Sequence, residues 1–269
     1  DIMAGILSIQ INPTLGNKEL NLKKVEHFIK KYSDKKLDLV VLPENFSTGA
    51  DFVNFQKTSE NKFGGGTIAK ICEFAQKYKT NIVAGTVIEK DGDKFYNTAF
   101  VVNREGEIVA KYRKIHLYNY LGGNEGDFVD VGEDEVVIDL DFGKIGLGVC
   151  FDIRFPNHFT KLVQMGAQII VLPTGWLVPN EIYSDKQSFK FARDMWIAMA
   201  RTRAYDNLAY FVISNQAGRV NNDLCALGES MIIAPTSEVL NRAEHEQCAI
   251  YSNVDLDVVK YYRSVLPIV

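Results

Sequence analysis

From Lys144 to Pro156 the sequence reads KIGLGVCFDIRFP, and an apolar, strand-like segment ends there at Cys150. The apolar residues and the two glycines let a buried strand project one side chain at the end of a sheet, while the next backbone N–H groups turn towards the same point. A cysteine in an apolar strand is most often buried and inert. The position also suits a nucleophile that attacks a carbonyl carbon, so residues elsewhere must decide between the two interpretations.

Two other strand ends carry ionisable side chains. LVVLPENF (39–46) places Glu44 directly after a proline, and KYRKIHL (111–117) places Lys114 at the end of another strand-like run. A thiol with a reference pKa of about 8.5 is only a few per cent thiolate at neutral pH. A carboxylate can accept its proton, and an ammonium stabilises both the thiolate and the oxyanion that forms after attack. Together with Cys150, these residues form a complete catalytic set.

LPENF, YRKIHL and GVCFDIRFP resemble the three signature blocks of the nitrilase superfamily of carbon–nitrogen hydrolases, in the same order and at similar spacing. The likeness continues through QINP near the start, WIAMARTRAYDN at 196–207 and DLD at 255–257. The resemblance implies an α+β, or layered α/β, fold: a four-layer α-β-β-α sandwich. It also implies one carbon–nitrogen hydrolase domain over residues 1–269, and we find no linker or repeat that indicates a second.

The family mechanism can be carried over onto the matching positions. It makes Glu44 the general base and Cys150 the nucleophile, with the oxyanion held by Lys114 and by the backbone N–H of Phe151. Ammonia or an amine leaves, and water then hydrolyses the acyl-cysteine intermediate. The resemblance therefore implies an amidohydrolase that acts on a non-peptide carbon–nitrogen bond of a small molecule.

Two further residues compete for roles in this mechanism. Glu125, in GGNEG (122–126), stands where many relatives have a second glutamate, and we expect it to orient Lys114 or the leaving nitrogen. An exposed loop carboxylate is the alternative. His116 is the rival base, because residues two apart in a strand share a face and it could point with Lys114. A structural role for this histidine is favoured, and replacing Glu44 by glutamine would decide the question.

The residues after the nucleophile bear on the substrate. True nitrilases of the superfamily typically have tryptophan and glutamate there, whereas Phe151-Asp152 is similar to the amidase branches. This favours a small aliphatic or ω-amide; N-carbamoyl amine hydrolysis, nitrile hydrolysis and acyl transfer stay open, as does a catalytically silent scaffold of the same fold. The segment PTGWLVP (173–179) departs from the usual Nit pattern. Trp176 is expected to line the substrate pocket and to favour a more apolar acyl group.

Composition excludes several other function classes. The 269 residues carry a formal net charge of −4, which gives no case for binding nucleic acid or an anionic membrane. No apolar run approaches the ~18 residues that span a bilayer. The four cysteines are widely separated, which favours free thiols and a cytoplasmic enzyme. The four histidines are dispersed, so we expect no metal and no cofactor. The resemblance implies a homodimer or a larger homo-oligomer.

Helical and strand-like patterns alternate along the chain. Apolar residues at helical spacing predict helices before the strand that ends at Glu44 and before a strand from Asn81 to Glu89. Hairpins are predicted between Phe95 and Leu117 and between Val136 and Cys150. The remaining predictions are a helix from Pro156 to Gly166, a strand from Gln168 to Pro173, a helix from Asp185 to Tyr205, strands from Leu208 to Asn215, Ser230 to Ala234, Val239 to Arg242 and Ala249 to Val254, and a helix from Leu256 to Arg263.

Overall fold

The computed structural model describes residues 3–120 and 123–269. In chain order its helices and strands are β1 (Met3–Gln10), α1 (Lys18–Lys31), β2 (Leu39–Val41), β3 (Glu60–Asn61), α2 (Gly65–Tyr78), β4 (Asn81–Val83), β5 (Val87–Asp91), β6 (Lys94–Val102), β7 (Ile108–Arg113), β8 (Val137–Leu140), β9 (Gly143–Leu147), α3 (Pro156–Gln164), β10 (Ile169–Thr174), β11 (Leu177–Pro179), α4 (Asn180–Ser184), α5 (Lys186–Asn207), β12 (Tyr210–Asn215), β13 (Ala217–Arg219), β14 (Leu224–Leu227), β15 (Met231–Ile233), β16 (Val239–Arg242), β17 (Cys248–Asp255) and α6 (Leu256–Val265). Short 3-10 turns lie at Phe52–Asn54, Glu125–Asp127 and Cys150–Arg154.

Two large mixed sheets form the centre of the described part of the chain. The first has the order β17-β1-β2-β4-β6-β5-β3, with β7 paired to β6, and the second has the order β16-β15-β12-β10-β9-β8. A small third sheet has the order β11-β14-β13. Within the first large sheet β1, β2 and β4 are parallel neighbours, and within the second β9, β10 and β12 are parallel. The carboxyl ends of parallel strands meet at one edge, which is where loops can bring side chains together.

Three hydrophobic clusters show how the layers pack. One lies between the two large sheets and includes Ile6 of β1 and Val171 of β10. A second lies between the first sheet and helices α1 and α2, and a third lies between the second sheet and helices α3 and α5. The order of layers is therefore helix, sheet, sheet, helix. This arrangement confirms the layered α+β class predicted from the sequence.

Hydrogen bonds join the two large sheets where β1 packs against β12. Ser8 Oγ donates to the carbonyl of Ile213 at 2.7 Å, and Ser214 Oγ donates to the carbonyl of Ile9. All four residues are fully buried. Because an unmade hydrogen bond costs about 1 to 3 kcal/mol in a buried place, each serine fixes the position of one sheet on the other.

The two predicted hairpins and most predicted elements are present, with shifts of a few residues at their ends. The single strand predicted from Asn81 to Glu89 is two strands in the structure. The strand conformation is interrupted between β4 and β5, where Gly85 has a φ of +43°. The patterns also miss β1, which is buried on both faces beyond Met3 and so lacks the polar and apolar alternation of a surface strand. No helix in the described residues has both the length and the apolar character needed to cross a membrane.

Candidate active site

Glu44 lies in the loop that follows β2. Residues between β4 and β5 contact this loop and fix its position. Gly85 packs so closely on this loop that a Cβ atom built at Gly85 would lie 1.9 Å from the carbonyl oxygen of Pro43. Next to it, Thr86 Oγ1 accepts a hydrogen bond from the backbone N–H of Asn45 at 2.8 Å, and Asn45 has a φ of +51°. The glycine that splits the predicted strand thus lets two loops meet and fixes the backbone on both sides of Glu44.

Lys114 follows the last residue of β7, and its side chain turns into the protein. Its Nζ atom lies 3.0 Å from Glu44 Oε1 and 2.8 Å from Glu125 Oε2, and the side chain is only 2% exposed. Burial alone would lower the pKa of Lys114, but the charges of Glu125 and Glu44 raise it well above the ordinary value. The group is therefore an ammonium held between two carboxylates.

Glu125 is buried, although it lies in a loop. It opens the 3-10 turn Glu125–Asp127, and its Oε2 atom accepts hydrogen bonds from Lys114 Nζ and from the backbone N–H of Tyr118, each at 2.8 Å. The alternative that Glu125 is an exposed loop carboxylate is therefore wrong. Gly122 of the GGNEG segment lies outside the described residues.

Asn97, a buried residue of β6, belongs to the site although no sequence motif predicts it. Its Nδ2 atom donates to Glu44 Oε1 at 2.7 Å and to Glu125 Oε1 at 3.0 Å, and its backbone carbonyl accepts the N–H of Lys114 at 2.9 Å. The one available signal was a polar Asn-Thr pair inside the apolar run of β6. A pattern of that kind does not distinguish a site residue from an ordinary hydrogen-bonded core residue.

Cys150 opens the 3-10 turn that follows β9, and its φ of +46° places it in the left-handed region. Such a conformation is rare for a residue other than glycine and costs energy that the surrounding structure must supply. Burial and the charge of Glu44 raise the pKa of the thiol well above its ordinary value, while Lys114 and the N–H of Gly175 act in the opposite direction. The net shift favours a protonated thiol in the free protein.

Gly175 lies just after the end of β10. Its N–H donates to Glu44 Oε2 at 2.9 Å and also makes the backbone hydrogen bond that acts on the Cys150 thiol. A Cβ atom built at Gly175 would lie 3.2 Å from Glu44 Oε2 and 3.3 Å from the side-chain nitrogen of Gln216. The same Gln216 nitrogen donates to the backbone carbonyl of Glu44 at 2.8 Å. Both residues therefore contribute to the position of Glu44 from the second sheet.

Phe151 is half-buried and belongs to an aromatic group next to Cys150 in the chain. Its ring centroid lies 5.2 Å from that of Tyr118, 5.6 Å from that of Tyr120 and 5.5 Å from that of Phe155. Two of these rings, those of Tyr118 and Tyr120, are exposed. An apolar surface of this kind next to a reactive group can contact the non-reacting part of a small ligand.

Trp176, the second residue expected to bind substrate, directly follows Gly175. It is half-buried, its ring centroid lies 4.8 Å from that of buried Trp196, and its backbone N–H donates to Asn215 Oδ1 at 2.9 Å. The indole is thus part of the packing between the second sheet and α5 as well as a neighbour of the Glu44 contact. That Trp176 binds substrate stays a prediction.

His116 does not continue the strand that leads to Lys114, since β7 ends at Arg113. Its Nδ1 atom instead lies 2.6 Å from Asp152 Oδ1, and its ring stacks on Phe155 at 3.7 Å. The expectation that it could share the face of Lys114 is therefore wrong. This geometry fits the favoured structural role.

One set of possible metal ligands exists among the described residues: His116, Asp152 and His158 have ligand atoms within 4.8 Å of one another. The Asp152 carboxylate already accepts hydrogen bonds from Tyr112, Val149 and both the backbone and the ring of His116. A metal ion would have to displace some of these. The cluster is best described as a hydrogen-bonded support beneath the Cys150 turn.

Comparison with known proteins identifies the family of the chain. The family model described as carbon-nitrogen hydrolase matches residues 6–264. The omega-amidase NIT3 of Saccharomyces cerevisiae is 29% identical over 97% of this chain and 90% of its own length. The 2-oxoglutaramate amidase of Bacillus subtilis is 29% identical over 98% of this chain and 95% of its own length.

The fold comparison gives the same answer. The crystal structure of Saccharomyces cerevisiae Nit3, described as a member of branch 10 of the nitrilase superfamily, superposes with a TM-score of 0.86 at 27% identity, over 99% of this chain and 96% of that one. The protein is an amidohydrolase that acts on carbon–nitrogen bonds other than peptide bonds. It belongs to the carbon–nitrogen hydrolase family, in the Nit/amidase-like branch of the nitrilase superfamily.

Proposed function

We propose that this enzyme hydrolyses the terminal amide of a small ω-amide, such as the monoamide of a short dicarboxylic acid, through an acyl-cysteine intermediate on Cys150. The observation that carries the proposal is the contact set around Lys114, whose Nζ atom lies 3.0 Å from Glu44 and 2.8 Å from Glu125. An ammonium and a carboxylate beside a buried thiol supply the base, the nucleophile and the oxyanion partner that amide cleavage requires.

In the first half of the reaction, Glu44 takes the proton of the Cys150 thiol as the sulfur attacks the amide carbon. The raised pKa of the thiol favours proton removal by Glu44 at the moment of attack, because a thiolate already present in the free enzyme would need no base. The oxyanion is stabilised by Lys114 and by the backbone N–H of Phe151. When the tetrahedral adduct collapses, Glu44 returns the proton to the leaving nitrogen and ammonia departs.

In the second half, water attacks the thioester and Glu44 removes its proton. Collapse releases the carboxylic acid and returns the proton to the sulfur. Glu125 keeps Lys114 in place throughout, and its second oxygen lies on the side of Asn97. Dividing one difficult substitution into two easier steps is the advantage of the covalent intermediate.

The substrate class rests on the relatives named omega-amidase and 2-oxoglutaramate amidase. The exposed aromatic rings around Phe151 support contact with the carbon chain of the acyl group. Trp176 is proposed to line the other side of the pocket and to contact the apolar carbon chain of the acyl group. A screen must therefore compare an ω-amide with an uncharged aliphatic amide of the same length.

The test is ammonia release from those two amides, an N-carbamoyl amine and a nitrile, measured with wild type, Cys150→Ala and Cys225→Ala. Cys225 is the matched control, because it is also buried but its sulfur contacts Asn180. We expect Cys150→Ala to lose about 10⁴-fold or more of the activity. We expect Cys225→Ala to keep it, and intact-mass analysis to detect an acyl adduct on wild type alone.

The outcomes separate the alternatives. Activity retained in Cys150→Ala, or no turnover of any of the four substrates, would overturn the proposed mechanism. A preference for the uncharged aliphatic amide would overturn the ω-amide assignment and leave the chemistry. Turnover confined to the N-carbamoyl amine or to the nitrile would move the enzyme to those reactions, and release of acyl product only with an added amine would make it a transferase.

We also propose a homodimer or larger homo-oligomer in the cytoplasm. Four free cysteines support a reducing compartment. Phe191 and Met195, one helical turn apart on α5, are 69% and 48% exposed, and Tyr261 of α6 is 61% exposed. Large exposed apolar side chains of this kind are typical of subunit interfaces. Sedimentation of wild type and Phe191→Glu tests this: a monomeric wild type would contradict it, and a smaller species for the variant alone would support it.

A further inference from the structure

We infer that Asn97 is a positioning residue of this site, whose side-chain amide holds Glu44 by one oxygen so that the other oxygen is the one that takes the proton of Cys150. The inference rests on the proposed function. The sequence motifs do not point to this residue. It is carried by contacts that close a ring of four side chains.

The ring consists of two carboxylates joined by two donors. Lys114 Nζ donates to Glu44 Oε1 at 3.0 Å and to Glu125 Oε2 at 2.8 Å. Asn97 Nδ2 donates to Glu44 Oε1 at 2.7 Å and to Glu125 Oε1 at 3.0 Å. The four side chains are all buried. Each carboxylate therefore faces both donors, and neither can rotate without breaking a contact.

The ring makes the two oxygens of Glu44 unequal. Oε1 accepts from both Lys114 and Asn97, whereas Oε2 accepts only the N–H of Gly175, at 2.9 Å, among the described residues. The N–H of Gly175 also acts on the Cys150 sulfur. Since a carboxylate oxygen has about two lone-pair sites, Oε2 keeps one site for an incoming proton. Oε2 is thus the oxygen of Glu44 that has room for the proton.

The orientation of the Asn97 amide follows from its neighbours. Rotating the amide by half a turn would place its oxygen against two carboxylate oxygens, which repel it. As oriented, the buried oxygen of Asn97 accepts no hydrogen bond from the described residues. An unpaired buried acceptor costs about 1 to 3 kcal/mol. The two charge-assisted bonds on the nitrogen side are strong enough to offset that cost.

The backbone of Asn97 adds a second constraint, because its carbonyl accepts the N–H of Lys114 at 2.9 Å. One residue of β6 therefore fixes the base through its side chain and the ammonium through its main chain. A neutral donor suits this place. A second cation would stabilise both carboxylates so strongly that the base would lose proton affinity, and an anion would compete with them for protons.

The experiment compares Asn97→Asp and Asn97→Ala with Thr98→Val. Thr98 is the neighbouring residue of β6, faces the other side of the strand, is equally buried, and donates to a different buried carboxylate, Glu89, at 2.6 Å. It thus matches Asn97 in strand, burial and type of bond. The measurements are kcat and KM as functions of pH, with urea unfolding to record stability.

In Asn97→Asp the new carboxylate faces two others, so the cluster binds a proton at higher pH. We expect the acidic limb of the kcat/KM profile to move up by about one pH unit or more. In Asn97→Ala we expect kcat to fall by about 10- to 100-fold with KM changed by less than about threefold, because the donor acts on the base and not on the substrate. Thr98→Val should lose stability while keeping the wild-type profile.

An acidic limb that stays in place in Asn97→Asp, together with a kcat in Asn97→Ala within about threefold of Thr98→Val, would overturn the inference. If Asn97→Asp does not fold, the kcat of Asn97→Ala decides alone. The proposed function fails separately, by activity in Cys150→Ala. If Cys150→Ala and Glu44→Gln are inactive while both Asn97 variants are fully active, only the role of Asn97 is rejected.

Discussion

Asp152 Oδ1 lies 2.6 Å from His116 Nδ1, and this contact ties the segment after Lys114 to the turn that carries Cys150. The other oxygen, Oδ2, accepts the hydroxyl of Tyr112 at 2.7 Å and the N–H of Val149 at 2.8 Å. Burial alone would raise the pKa of Asp152, but the hydrogen bond from His116 and the contacts with its other neighbours lower it below the ordinary value. The carboxylate is therefore ionised and supports the left-handed backbone of the nucleophile.

Replacing Asp152 by asparagine should weaken this support. The amide has one acceptor oxygen instead of two, so either the His116 side or the Tyr112 side loses its partner. We expect unfolding free energy to fall by about 2 to 3 kcal/mol and kcat/KM to fall by about 10- to 100-fold. Urea unfolding and amide turnover measure both. Asp139→Asn, an exposed acid of β8, is the control, and an Asp152→Asn enzyme that matched it would contradict the role.

The same carboxylate predicts a pH dependence of stability. Its folded pKa is lowered, so the unfolded chain binds the proton first as pH falls, and the stabilisation is present above the unfolded pKa of about 3.9 and is lost below it. The difference in unfolding free energy between wild type and Asp152→Asn should narrow as pH falls below about 4. A difference that widened below about pH 4 would reverse the sign and contradict the assignment.

The thiol of Cys150 should resist ionisation in the free enzyme. Burial and the charge of Glu44 raise its pKa, so we expect no thiolate from this residue up to the ordinary value of 9.0. The measurement is the ultraviolet absorbance of thiolate as a function of pH, taken as wild type minus Cys150→Ala to remove the other three cysteines. A titration at or below pH 7 in the difference would mean a preformed thiolate and no need for Glu44 as its base.

Gly175→Ala should affect turnover more than stability. The added Cβ atom would lie 3.2 Å from Glu44 Oε2 and 3.3 Å from Gln216, which is tight enough to push the carboxylate by a few tenths of an ångström. A displacement of this size at a reacting group costs about tenfold or more in kcat. Gly66→Ala is the control, because its Cβ meets nothing within 4 Å and the helix α2 gains from alanine. Equal activity of the two variants would count against Oε2 as the basic oxygen.

The sequence predicted the layered fold because the three strand-end motifs resemble a known family in order and spacing. The grouping of Glu44 and Lys114 with Cys150, and a role of Glu125 in orienting Lys114 or the leaving nitrogen, are predicted from the same resemblance and not from periodicity. The role of Asn97 could not be predicted, since a polar residue inside an apolar strand has no pattern that tells which side chains it meets. Its partners come from segments 53 and 28 residues away in the chain.

Local strand patterns failed where a tertiary contact decides the backbone. The run from Asn81 to Glu89 reads as one strand, but close packing of Gly85 on Pro43 divides it. Strand alternation would allow His116 to share the face of Lys114, but the chain leaves β7 at Arg113 and the His116 ring contacts Asp152, in line with the favoured structural role. In both places the deviation from the simple pattern lies next to the site.

The hydrogen bonds that Ser8 and Ser214 make between the two large sheets bear on when the site is assembled during synthesis and lost on heating. Glu44 follows a strand of one sheet, and Cys150 follows a strand of the other. Under the proposed mechanism neither sheet carries a complete site, so a chain still emerging from the ribosome would hold an inert thiol. Hydrolysis would begin only once the two sheets have packed together, and on heating we expect turnover to be lost as soon as they separate.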